Sequence, residues 1–155
     1  MDLITTQFAP AICQRIDAAA STVYLCFYSA AAPKQNNNPS FKGVWDALWR
    51  AHDRGCVVRL LFDHHAGGLR YSKYVSQQVI NFRAFPFQVR FISNKKKIHS
   101  KFAIFDNEFV YLGSHNLTPS GVSYNHETGL IFAHREIAIR LLNNFLYLWE
   151  QANVG

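Results

Sequence analysis

The sequence predicts an α/β fold, a single domain in which a mixed β-sheet is flanked by helices. Three observations carry that expectation. Two apolar runs, residues 21–28 and 56–62, are separated by a segment of helical period, as in a parallel crossover unit. Further along, short apolar segments are joined by turn residues in the manner of antiparallel pairs. At 155 residues and 49% hydrophobic content, the chain has the size and apolar fraction of one globular domain, spanning residues 1–155.

The elements follow in order. Ile12, Ile16 and Ala19 recur at helical spacing and predict a helix over 10–20, followed by a buried strand over 21–28. Residues 35–40 are a polar loop whose Ser40 is placed to cap the next helix. In that helix Val44 and Leu48 recur four apart, as do Trp45 and Trp49, and Gly55 ends it. A second buried strand over 56–62 leads to a loop over 64–68 and a helix near 69–80. Phe87, Val89 and Phe91 alternate as a strand. The segment 81–90 also mixes aromatics with arginines, as base-stacking surfaces do, although its alternation suggests core. Strands over 100–105 and 109–114 are joined by the turn Asp106-Asn107-Glu108. A strand over 127–132 and a closing helix over 135–151, with Leu141, Phe145 and Trp149 on one face, complete the chain.

No apolar run approaches the roughly 18 residues that span a bilayer. The opening Met1-Asp2-Leu3 lacks the basic region of a signal peptide. The expectation is a soluble, cytoplasmic protein with no stable membrane association. Cys13, Cys26 and Cys56 are odd in number and lack metal-ligand spacing, so free thiols are expected.

The net charge of +6 is segregated. Between Asp63 and Asp106 no acidic residue occurs, while Arg70, Lys73, Arg83, Arg90, Lys95, Lys96, Lys97 and Lys101 fall there. Such a one-signed field attracts polyanions, and Arg90 with Lys95, Lys96 and Lys97 are the expected approach path for a nucleic acid.

His99 and Lys101 lie two apart in a strand-like run, which puts both side chains on one face of the sheet. An imidazole is a nucleophile or proton carrier near neutral pH, and an ammonium beside it offsets phosphate charge without a metal. At the end of the next strand Gly113 permits close backbone approach, while Ser114 and Asn116 can donate to phosphate oxygens. Six other histidines raise a metal reading, above all His64 and His65 beside Asp63, with His126 near Glu127. Their spacing fits no common zinc pattern, and neither metal nor cofactor is expected.

The pattern of His99, Lys101 and Asp106, then Gly113, Ser114 and Asn116, resembles the phospholipase D superfamily, and in particular its small bacterial endonucleases that carry the motif once. That resemblance implies the phospholipase D-like fold and a two-step reaction. One histidine attacks phosphorus to form a phosphohistidine while a second protonates the leaving oxygen, and water then reverses the roles. With one motif in the chain, the second histidine comes from a C2 homodimer that shares one active site. By the same resemblance Glu127 orients His99 through its other ring nitrogen. Asp106, seven residues beyond His99 at a turn, is assigned a structural role. The expected activity is metal-independent phosphodiester cleavage, most simply of DNA or RNA. Cleavage of a phospholipid of the cardiolipin type, and a nucleic-acid-binding module without catalysis, remain the alternatives.

Overall fold

The computed structural model describes residues 1–33, 37–64, 82–93 and 96–154. Among them, strands β1 (Asp2–Ile4), β2 (Thr22–Phe27), β3 (Val57–Asp63), β4 (Gln88–Ile92), β5 (Lys101–Phe105), β6 (Phe109–Gly113), β7 (Gly129–Ala133) and β8 (Asn153–Val154) form one sheet. Its order is β1-β7-β6-β5-β2-β3-β4-β8. The β2, β3 and β4 strands are parallel, and every other neighbouring pair is antiparallel. Helices α1 (Phe8–Ala18), α2 (Pro39–Asp53), α3 (Pro119–Ser123) and α4 (Arg135–Gln151) complete the described fold. This is the mixed sheet flanked by helices that the sequence predicts.

The two-residue period of the strands divides the core into two layers. Val23, Leu25 and Phe27 of β2 pack with Phe8, Ile12 and Ile16 of α1 and with Val44, Trp45 and Leu48 of α2. Tyr24 and Cys26 face the other way, onto Ala138, Phe145 and Trp149 of α4. Each fully buried aliphatic or aromatic side chain contributes roughly 1.5–3 kcal/mol over its exposed state. The segment that mixes aromatics with arginine resolves as core: Phe82 and Phe87 are buried, and the ring of Phe85 stacks on Trp45 at 4.9 Å. All three cysteines are free thiols, Cys26 and Cys56 buried.

Several boundaries depart from the sequence reading. The first helix starts at Phe8, because Pro10 falls in its first turn, where a missing N–H costs no hydrogen bond. Asn38, rather than Ser40, caps α2: its Oδ1 accepts from Phe41 N–H at 2.9 Å, and Pro39 supplies a pre-set first helical residue. Gly55 does end α2, at φ 91°. The edge strands β1 and β8 and the five-residue α3 have too few residues to show a period. The helix expected near 69–80 lies outside the described residues.

The β5–β6 turn is closed by Glu108 N–H donating to the Phe105 carbonyl at 3.0 Å. Asp106 and Asn107 sit at φ 53° and 56°, a left-handed conformation that Asp and Asn tolerate better than most side chains. Asp106 also reaches across to the start of β2. Its carboxylate accepts from the N–H groups of Ala20, Ser21 and Thr22 at 2.8, 2.8 and 2.9 Å, and from the Ser21 hydroxyl at 2.9 Å. Partial burial alone would raise its pKa, but these donors outweigh it and hold the carboxyl below its ordinary value.

A carboxyl whose pKa is depressed on folding stabilises fully above the unfolded value of about 4, and that contribution is lost as pH falls through the folded value. Asp106→Asn keeps the turn geometry but sets an amide N–H against a backbone donor. The variant should lose about 2 kcal/mol in urea unfolding at pH 7. The difference from wild type should shrink toward pH 3, whereas a pH-independent difference would assign the loss to the turn alone.

Candidate active site

Five chain segments meet at the sheet edge where β2, β3 and β4 end, and strand direction is the reason. Because β5 runs antiparallel to β2, its first residue pairs with the last of β2, Lys101 with Phe27. The β6 strand returns beside it, Leu112 opposite Phe102, and β7 starts where β6 stops, Gly129 opposite Gly113. The exit of β2, the exit of β3, the entry to β5, the exit of β6 and the entry to β7 therefore converge. The carboxyl edge of parallel strands is the usual ligand position in open α/β sheets.

His99 and Ser100 precede β5 rather than lie in it, a correction to the expected strand. The cause is Asp63 at the end of β3, 4% exposed, whose Oδ2 accepts from Ile98 N–H at 2.8 Å. That bond draws the segment off the ladder just before His99. Lys101 folds back toward it: Nζ donates to the His99 carbonyl at 2.7 Å and lies 3.4 Å from His99 Nδ1. Burial lowers the ammonium pKa, against the pull of the Glu127 carboxylate in the other direction. The ring of Tyr28, the residue after β2, packs against His99 at 4.8 Å and lies 5.4 Å from Lys101 Nζ.

On the β6 side, the Ser114 hydroxyl donates to Glu127 Oε2 and accepts from Thr128 N–H at 3.0 Å. Glu127 Oε1 accepts from Asn125 Nδ2 at 3.1 Å. The expected pairing of Glu127 with the His99 ring is therefore not made: the carboxylate is engaged by Ser114 and Asn125, and Lys101 meets the ring instead. Asn116 Oδ1 accepts from Ser29 N–H at 3.2 Å, which fixes the amide so that Nδ2 is its donating end. Gly121 in α3 packs on the Asn116 backbone so closely that a Cβ there would lie 2.8 Å from Asn116 N.

Gly113 does permit close backbone approach, and what approaches is the neighbouring strand β7 together with Tyr111. A Cβ at Gly113 would overlap the Tyr111 hydroxyl and come within 2.8 Å of both Gly129 Cα and Thr128 O. The space holds Tyr111, whose hydroxyl bonds Nδ1 of the buried His115 at 2.7 Å. The His115 ring stacks on Phe8 at 4.3 Å, and burial lowers its pKa. His115 thus belongs to the core although its neighbours Ser114 and Asn116 face the site.

Lys96 and Lys97 are exposed beside this edge, while Lys95 and His65 lie outside the described residues. Arg90 is elsewhere. It stands in mid-β4 with its guanidinium 4.5 Å over Trp149 and bonded to the Trp149 carbonyl at 2.9 Å, a packing role rather than a place in the approach path. His64 is half-buried at the end of β3. Phe102, Leu112 and Leu141 line an open depression beside His99, Lys101 and Ser114. Sequence reasoning missed Tyr28, Tyr111 and Gly121 and read Asp63 only as a neighbour of His64 and His65. Tyr28 and Asp63 lie at strand ends, whereas Tyr111 in mid-β6 and Gly121 in α3 carry no local signal.

A histidine, a lysine, a hydroxyl and an amide gathered at the carboxyl edge of this mixed sheet define a phospholipase D-like domain. Residues 12–149 match the family model described as "Cardiolipin synthase, PLD-like domain", and the chain belongs to that family. It is 29% identical over 136 residues to the human mitochondrial cardiolipin hydrolase and 28% identical over 134 residues to that of the mouse. These alignments cover 88% and 86% of this chain but 48% and 54% of the relatives, so the chain spans about half their length. Two solved structures share the fold. Nuc from Salmonella typhimurium, a phospholipase D family member, superposes with a TM-score of 0.75 at 22% identity, covering 99% of this chain and 97% of that one. NucT from Helicobacter pylori does so with a TM-score of 0.76 at 18% identity, covering 99% and 98%.

The glycines give a test with opposite signs. Gly113→Ala should cost about 1–3 kcal/mol in urea unfolding, since the atoms it meets are largely backbone. Gly43, inside α2 with nothing within 4 Å of its missing Cβ, should gain about 0.5–1 kcal/mol as alanine. Equal effects at the two positions would refute the close packing around Tyr111.

Proposed function

We propose that this chain is a metal-independent phosphodiesterase that cleaves nucleic acid through a phosphohistidine on His99, in a C2 homodimer whose two copies of His99 serve one site. The observation that carries the reading is the placement of Lys101 against His99, with Ser114 and Asn116 on the same edge. In the first step a His99 nitrogen bonds to phosphorus, the bond to the leaving oxygen breaks, and the partner subunit's His99 gives that oxygen a proton. In the second, the partner subunit's His99 takes a proton from water, the water oxygen attacks phosphorus, and the phosphorus–nitrogen bond breaks. Lys101 and the Asn116 amide bind the phosphoryl oxygens, where charge grows in the transition state, joined by Ser114 when its one O–H proton turns from Glu127 to the phosphate, and so supply what a metal otherwise would. Glu127 holds the Ser114 hydroxyl and balances Lys101.

Lys96 and Lys97, exposed just before His99, favour a polyanionic substrate, with Lys95 beside them in sequence. The apolar lining of Phe102, Leu112 and Leu141 favours a second reading, a phospholipid substrate. The similarity to proteins named mitochondrial cardiolipin hydrolase supports the same alternative.

Mixing subunits tests the mechanism. Wild-type and His99→Ala chains, unfolded together in equal amounts and refolded, form about a quarter wild-type dimers by random pairing. With a shared site, cleavage of an unactivated DNA or RNA substrate in EDTA should fall to about a quarter of an all-wild-type sample. A value near half means that each chain has its own site. Activity abolished by EDTA and restored by a divalent ion overturns the metal-independent step. Turnover of cardiolipin vesicles without nucleic-acid cleavage selects the second reading.

A further inference from the structure

We propose that Tyr28 is a positioning residue whose ring face holds both His99 and Lys101 in reacting geometry, an inference that rests on the roles proposed for those two side chains. His99 stands on an irregular segment ahead of β5, so no strand pairing fixes its side chain. Its ring is met by the ring of Tyr28, centroids 4.8 Å apart and planes at 50°, a tilted contact within the normal range for ring pairs. The same Tyr28 ring lies 5.4 Å from Lys101 Nζ, within reach of the ring quadrupole. One aromatic ring therefore lies against both members of the reacting pair.

Tyr28 can serve as a reference surface because its own backbone is fixed. Its carbonyl accepts from Asp63 N–H at 3.3 Å, and the next residue is tied to the β6 exit on both sides. Ser29 N–H donates to Asn116 Oδ1 at 3.2 Å, and the Ser29 carbonyl accepts from Leu117 N–H at 3.0 Å. Tyr28 thus joins the segment carrying Asn116 to the one carrying His99. Lys101 Nζ is bonded to the His99 carbonyl at 2.7 Å and lies 5.4 Å from the ring centroid. The ring orients the ammonium through its negative face and limits the swing of the imidazole by contact. Neither effect uses the phenolic hydroxyl.

The test compares Tyr28→Phe with Tyr28→Leu, reading kcat, KM, the melting temperature and the ring-current shifts of the His99 and Lys101 side-chain protons. Phenylalanine keeps the ring and should stay within about twofold of wild type. Leucine removes the quadrupole and should lower kcat roughly 10-fold, with KM moving less than about threefold, as expected for an interaction that matters most at the reacting centre. The upfield shifts should persist in Tyr28→Phe and vanish in Tyr28→Leu. Should leucine unfold the end of β2, Tyr28→Met serves as the second variant and must show the same kcat deficit at an unchanged melting temperature. Equal impairment in Phe and Leu would assign the effect to the hydroxyl and overturn the proposal. Wild-type turnover in both Leu and Met would overturn it as well. A His99→Ala control separates the two layers: full activity there defeats the proposed chemistry, while the ring-current shifts report the Tyr28 geometry regardless.

Discussion

The antiparallel pairing of β5 with β2 is the constraint on which the site depends. Three strands run parallel, and without a reversal beside them the motif residues of β5, β6 and β7 would not return to the carboxyl edge. The pairing runs from Val23 opposite Phe105 to Phe27 opposite Lys101, and Asp106 fixes its far end by gripping the backbone of Ala20, Ser21 and Thr22. A slip of one residue would turn Phe102 and Ile104 out of the α4 layer and carry Lys101 to the wrong face. Asp106 therefore acts on the site from the opposite end of the strand, through register. Its place in the motif with His99 and Lys101 is explained by the length of β5 rather than by contact.

A second lock works across the sheet. Gly113 and Gly129 are paired in register, and the room they leave is filled by Tyr111, two residues before Gly113 on the same face. The Tyr111 hydroxyl engages His115, which Phe8 of α1 covers. A buried, satisfied polar pair thus anchors the chain between Ser114 and Asn116, so that both can face outward from a fixed backbone. Gly121 serves the same end from α3, allowing the helix to sit directly on the Asn116 peptide.

The sheet, its buried strands and the motif were legible because each has a local signature. Alternation of Phe87, Val89 and Phe91 marks β4, and an apolar run marks β3. The spacing of His99, Lys101, Gly113, Ser114 and Asn116 follows from strand and turn lengths. What was not legible depends on tertiary pairing. Nothing near Asp63 in sequence announces that it binds Ile98, 35 residues away. Tyr28 reads as the last apolar residue of a strand, and only the return of β5 makes it a neighbour of His99. Arg90 was misread because a cation in an acid-free stretch looks exposed, whereas its long stem and planar head pack on Trp149 at the other end of the chain. Glu127 was placed in the right region and given a different partner from the one the structure shows.

The acid-free stretch gains a structural meaning once the acids are located. Among the described residues, Asp106 binds four donors at the β2 start, Asp63 the Ile98 peptide, Glu127 Ser114 and Asn125, and Asp17 the guanidinium of Arg50. Each of these carboxylates is committed to holding the protein's own groups in place. Only Glu127 stands close enough to Lys101 to affect its titration, and it is shared with a hydroxyl and an amide. A carboxylate closer to His99 would neutralise Lys101 and repel a phosphate. Committing Asp63 and Asp106 to backbone N–H groups and Glu127 to Ser114 and Asn125, while leaving Lys96, Lys97 and Lys101 at the mouth of the site, reconciles a well-anchored scaffold with a positive field where an anionic substrate would arrive.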